Sequence, residues 1–139
     1  MKGSPVNKQR ILTAAVSEPQ PKTWSNCLVS GDLFFVSGLT ARDNDLVTIK
    51  GDNAYDQSKF IFSKIRAYVE AAGAQMDDIL KMTIFVTNMA DNKEVWRARA
   101  EEFTGDFPAC SLVEVAALAQ PEILVEIEAM GRIQCSKAT

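Results

Sequence analysis

With 139 residues, 47% hydrophobic and 24% charged, the chain has the size of one domain and enough apolar content for a real core. Its net charge of −3 comes without a basic block or stripe, which argues against a nucleic-acid partner. It has no histidine, which removes Ser-His-Asp and Cys-His catalysis, the usual zinc sites and the commonest general base near neutral pH. Any chemistry falls to carboxylates, thiols, Lys, Arg, Tyr, hydroxyls, backbone groups or water. No apolar stretch reaches spanning length, and the polar start MKGSPVNKQR lacks the apolar core of a signal peptide. Cys27, Cys110 and Cys135 are an odd number in no metal-ligand spacing, as expected of free thiols in a reducing compartment. The expectation is a soluble cytoplasmic protein with no membrane partner.

In chain order, residues 1–9 are polar and expected to be flexible. Arg10–Val16 has the composition of a first strand, and Glu18-Pro19-Gln20-Pro21 breaks it, since each Pro removes a donor and fixes φ. Trp24–Val29 and Leu33–Ser37 read as a hairpin across Ser30-Gly31-Asp32. Gly38 after Ser37 either turns the chain or lets a ligand approach the backbone. Ala41–Gly51 is a polar loop with a candidate short strand at Leu46–Ile49. A helix is predicted over Asn53–Ala72: Ala54, Ile61, Ile65, Tyr68, Val69 and Ala72 keep helical spacing, Asn53 can cap the start, and Gly73 suits the end. Ile79–Val86 has the apolar, β-branched make-up of a buried central strand. Asp91 and Glu94 have capping-box spacing before a second helix over Asn92–Phe103.

The stretch Phe107–Gly131 holds two more alternating runs, Ser111–Ala117 and Ile123–Ile133, separated by Ala119-Gln120-Pro121. In the second, Val125, Ile127 and Ala129 share an apolar face that should meet the core. Leu124, Glu126, Glu128 and Met130 share the other. Two carboxylates at that spacing repel each other, so solvent, a cation, a neighbouring subunit or a substrate must compensate. The order β-β-β-α-β-α-β-β calls for one mixed sheet with two helices on one face. Two helices leave the other face uncovered, and apolar residues on both faces of several strands favour a closed oligomer.

At this point the pattern becomes specific. Leu33–Gly38 (LFFVSG), Gln57, Ala71–Ala74 (AAGA), Asp77–Val86 (DDILKMTIFV), Phe107-Pro108-Ala109, Ser111–Ala116 (SLVEVA) and Val125–Ala129 (VEIEA) follow one another with matching gaps. In these blocks the chain resembles the Rid family of imine/enamine deaminases, also known as YjgF-type or L-PSP endoribonuclease proteins. The resemblance implies an α+β, chorismate-mutase-like fold over a single domain, residues 1–139. It also implies a homotrimer whose sheets line a central barrel, with small-molecule clefts between subunits. In the deaminase branch those clefts take small imino or enamino acids and hydrolyse them to a keto acid and ammonia, with no bound cofactor and no metal.

The family's functional residues carry over unevenly. Glu126 matches the glutamate that positions the attacking water, and Ser37, Gly38 and Ser111 match the cleft wall. The family's Pro-Ala-Arg-Ser block supplies an arginine whose planar fork clamps the substrate carboxylate. This chain reads Pro108-Ala109-Cys110-Ser111, so Cys110 stands at that arginine's position, and Trp24 stands where a tyrosine is usual. Arg42, Arg97, Arg99 or Arg132 could supply a substitute, and the sequence alone favours none of them. Cys110 reads either as a small cleft-lining residue or as a thiol nucleophile, and no histidine exists to activate it. Glu126 reads either as the water-holding acid or as one member of an interfacial hydrogen-bond network. Two functions from different classes follow: a deaminase of altered substrate range, or a non-catalytic ligand-binding or regulatory trimer. Endoribonuclease activity ranks below both, for want of histidine, positive charge and a base-stacking surface.

Overall fold

The computed structural model describes residues 7–137. Its strands are β1 (Lys8–Arg10), β2 (Cys27–Ser30), β3 (Leu33–Leu39), β4 (Ile79–Val86), β5 (Ala109–Glu114) and β6 (Val125–Arg132). They form one sheet in the order β1-β2-β3-β6-β4-β5. All neighbouring pairs are antiparallel except β4 and β5. A parallel pair needs a crossover, and α2 (Asn92–Ala100) lies in it. The longer helix, α1 (Ala54–Ala71), joins β3 to β4 and packs on the same face as α2.

The apolar stripe of α1 fixes that packing. Ile61, Phe62, Ile65, Tyr68 and Val69 are fully buried against Phe34, Val36, Met82, Ile84, Val125 and Ile127 of the sheet. Each such side chain contributes about 1.5–3 kcal/mol by leaving water. The Asn53 side chain accepts from the Asp56 amide at 2.8 Å and starts α1. Gly73, at φ +88°, ends it in the left-handed region that a Cβ would oppose. Buried Gln57 ties the helix to the segment before β6: it donates to the Gly51 and Glu122 carbonyls and accepts from the Leu124 amide at 2.9 Å.

The alternation expected of β6 is present. Val125, Ile127 and Ala129 are buried on the helix side, while Glu126 and Glu128 are half-buried and Met130 exposed on the other. That second sheet face is apolar yet uncovered: Leu33, Phe35, Val113 and Met130 are 38%, 42%, 40% and 41% exposed.

Several boundaries differ from expectation. The flexibility expected of residues 1–9 lies outside the described residues for 1–6, and Lys8–Arg10 pair with Leu28–Ser30. The strand expected over Arg10–Val16 stops at Arg10. Beyond it the chain turns, with Val16 N bonded to Thr13 O, and Asn44 holds residues 15–17 through three hydrogen bonds. Trp24–Asn26 precede β2 instead of joining it, and β3 runs two residues past Ser37. Leu46 has φ +62°, which breaks the strand expected at Leu46–Ile49 and leaves an isolated Arg42–Ile49 bridge. α2 ends at Ala100, so Phe103 meets Phe62 edge-on from outside the helix. Asp91 makes no capping bond there; the capping box forms instead between Gln75 and Asp78.

Candidate functional site

Between Val36 and Leu39 the register of β3 against β6 shifts. Such a bulge re-aims side chains and bends the strand. Gly38 sits at this shift, and a Cβ there would run into the Glu126 carboxylate. The missing Cβ lets the acid lie close against this backbone, and no positive φ is involved. Glu126 is half-buried, and its carboxylate has no hydrogen-bond partner among the described residues. Burial first, and then the charge of Glu128 on the same face, push its pKa above the usual glutamate value. A raised pKa makes the carboxylate a stronger proton acceptor and holds the proton more tightly once it is taken.

Glu126 lines a cavity of about 510 Å³ with Trp24, Asn26, Gly38, Arg42 and Lys64. Trp24 is held at the rim by a relay. Its indole N–H donates to Asn26 Oδ1 at 3.0 Å, Asn26 donates to Tyr68 OH at 3.0 Å, and Tyr68 donates to Glu18, which also takes Arg10 at 2.8 Å. The Tyr68 hydroxyl is thereby kept protonated, chiefly by burial and then by Glu18. Cys27, beneath this relay, has its thiol pushed up to about 12 by burial and by Glu18, which makes it inert packing.

The other wall of the cavity carries two cations. Lys64 Nζ donates to the Thr40 and Arg42 carbonyls at 2.8 and 3.0 Å. Burial, and then the neighbouring Arg42 charge, lower its pKa to about 8, with Asp43 opposing. Arg42 is half-buried and donates to the Leu46 carbonyl at 3.3 Å. The sequence reading did not single out Lys64. Its signal was a lysine within the apolar stripe of α1, one turn from both Ile61 and Tyr68.

The remaining predicted residues lie elsewhere. Ser37 donates to the Ser25 carbonyl at 2.6 Å and lines a neighbouring cavity of about 430 Å³ with Glu128, Lys81 and Thr83 on the uncovered face. Cys110 and Ser111 sit on β5, the edge strand. Cys110 pairs with Met82, on the helix side of the sheet. Two strand spacings and three residues along separate it from Glu126, roughly 14 Å from ordinary strand dimensions. One chain therefore brings Glu126, Gly38 and Trp24 together and leaves Cys110 and Ser111 apart from them. Arg99 Nη1 donates to Cys110 Sγ at 3.3 Å, and Lys81 donates to Ser111 at 3.2 Å. Arg97 pairs with Glu94 at 2.7 Å and stacks on Tyr55, and Arg132 pairs with Asp32 at 3.3 Å. Of Arg42, Arg97, Arg99 and Arg132, only Arg42 lines the Glu126 cavity.

One mixed sheet, two helices on one face and a carboxylate cleft beside a bulged strand define an α+β protein with a small-molecule-sized cavity. The family model described as endoribonuclease L-PSP matches residues 16–133, and the chain belongs to that family, the Rid family. It is similar to a 2-iminobutanoate/2-iminopropanoate deaminase from Dermatophagoides farinae, 33% identical over 93% of this chain and 100% of the relative. It is also similar to a RutC family protein from Pyrococcus horikoshii, 31% identical over 89% of this chain and 97% of that one. A solved structure of a Rid-family protein of unknown function from Yersinia pestis superposes with a TM-score of 0.83 at 30% identity. That match covers 91% of this chain and 100% of the other. Among the described residues, no helix is long and apolar enough to cross a membrane.

Proposed function

We propose that this protein hydrolyses a small imine or enamine to a carbonyl compound and ammonia, with Glu126 as the acid–base group. The observation that carries the reading is an unpartnered, half-buried carboxylate of raised pKa facing an open cavity. The deaminase among its relatives supports the choice of reaction.

The steps balance without a cofactor. Glu126 as carboxylate takes a proton from a water while the water oxygen bonds to the imine carbon. Glu126 returns that proton to the nitrogen, which gives a neutral carbinolamine. The carbinolamine hydroxyl proton then passes through Glu126 to the amino nitrogen as the C–N bond breaks, so that ammonia leaves and the carbonyl forms. Holding the water beside the carbon converts a bimolecular encounter into an oriented one, and the proton shuttle adds about 10²–10⁴-fold. Trp24 offers a flat apolar wall to the substrate.

In this reading the cleft is completed by a second copy of the chain in a homotrimer. The exposed apolar sheet face supports self-association, and the free edge of β5 would carry Cys110 and Ser111 toward a neighbour's Glu126 cavity. Cys110 in place of the usual carboxylate-binding arginine alters the substrate range. The three free thiols support a reducing, cytoplasmic setting.

The test generates imines in situ with an amino-acid oxidase and follows their loss by semicarbazide trapping, for the parent and Glu126→Gln. The parent accelerates hydrolysis and Glu126→Gln loses at least about 100-fold while keeping its fold and mass. Equal rates in both proteins would remove Glu126 from the chemistry.

A further inference from the structure

Two cations are held close together in the Glu126 cavity, with their charges only partly answered. Lys64 Nζ is 3.0 Å from the Arg42 carbonyl, and the Arg42 charge acts on it unfavourably. Lys64 has three donors and spends two on backbone carbonyls. Arg42 spends one donor on a carbonyl, and its guanidinium is within ion-pair distance of no carboxylate among the described residues. The nearest acid in the sequence, Asp43, also answers Lys50, at 3.9 Å. Glu126 lines the same cavity but forms an ion pair with neither cation, and among the described residues the only charge acting on it is that of Glu128. Two half-buried cations that share one wall and repel each other are relieved by a bound anion.

We propose that Arg42 and Lys64 together hold the carboxylate of the ligand inside the Glu126 cavity, so that one subunit supplies both the clamp and the acid. The inference rests on the deaminase reading above for its choice of a carboxylate ligand. It also says how the substrate range is altered: the ligand keeps its carboxylate, held from the loop after β3 instead of from β5. A planar fork such as that of Arg42 suits a carboxylate, and Lys64 adds charge while fixing the loop backbone.

The test is calorimetric or NMR-detected binding of 2-oxobutanoate, with 2-butanone as its neutral counterpart, to the full-length parent and variants. Arg42→Ala weakens 2-oxobutanoate binding by about tenfold or more and leaves 2-butanone binding and the melting temperature in place. Arg42→Lys retains part of the affinity. Lys64→Gln, which keeps a donor for the two carbonyls but removes the charge, weakens binding several-fold. Three results overturn the proposal: a parent that prefers 2-oxobutanoate to 2-butanone by no margin, parent-like binding in Arg42→Ala, or loss confined to Arg99→Ala. Turnover is read separately. Glu126-dependent turnover with parent-like binding in Arg42→Ala rejects the cation clamp and leaves the deaminase reading standing. Arg42-dependent binding in a protein without turnover does the reverse.

Discussion

Asp78 and Glu126 are two carboxylates drawn out of water at opposite ends of β6, and they titrate in opposite directions. Burial raises the pKa of both groups. At Asp78 it is outweighed by the Ser136 hydroxyl and amide, at 2.6 and 2.8 Å, and by the Gln75 and Gln134 amides, each at 3.0 Å. The result lies below the usual aspartate value. Glu126 receives no such donors among the described residues, faces Glu128, and lies above the usual value. Each acid also has a glycine beside it. A Cβ on Gly131 would meet the Asp78 carbonyl and come 2.9 Å from Ile79 Cα, whereas one on Gly38 would meet only the movable end of Glu126. The Asp78 end is satisfied and rigid, which is what a structural carboxylate requires. The Glu126 end is left unsatisfied and open, which is what the proposed acid–base role requires.

The largest expected effect breaks the rigid end. Gly131→Ala forces a methyl into backbone that cannot move aside, and should cost about 3 kcal/mol or more. Urea unfolding of the purified variant reads it directly, and a loss below about 1 kcal/mol would mean that this end is looser than the contacts imply.

Asp78→Asn should have the next largest effect, about 2 kcal/mol at neutral pH, because an amide cannot accept all four bonds and turns a donor toward donors. The sign with pH is fixed by the lowered pKa. A group that ionises more easily when folded stabilises the fold above its unfolded pKa, near 4. That contribution is lost as pH falls through the folded pKa. Melting curves of parent and Asp78→Asn should therefore be well separated at pH 7 and converge below about pH 4. A constant gap would show that folding leaves the pKa of this carboxyl unchanged.

These two ends were not equally legible in the sequence. β4 was placed correctly at Ile79–Val86, α1 to within a residue at each end, and the two faces of β6 correctly, because each has a long periodic pattern that packing reinforces. Glu126 was legible because its strand alternates, and Gly38 because it follows an apolar run. Arg10–Val16 misled because its residues suit a strand, while Asn44, far along the chain, holds that segment in a turn. The capping box at Asp91 and Glu94 had the right spacing but the wrong backbone, since Asp91 is already helical at φ −81°. Asp78 stood out in the sequence only as part of the Asp77–Val86 block; its partners Gln134 and Ser136 arrive through tertiary structure. Lys64 passed unnoticed for a related reason: nothing local says that a lysine in an apolar stripe will meet the carbonyls of Thr40 and Arg42.

The most direct measurement is the titration of Glu126 itself, by NMR of the glutamate side-chain carboxyl carbons, with Glu126→Gln identifying the resonance. The account predicts a midpoint above the usual glutamate value of about 4.3, moving down when Glu128→Gln removes the neighbouring charge. A midpoint at or below the usual value would mean that Glu126 is a solvated or paired surface acid. The unsatisfied cleft would then lose its claim to be the site of chemistry.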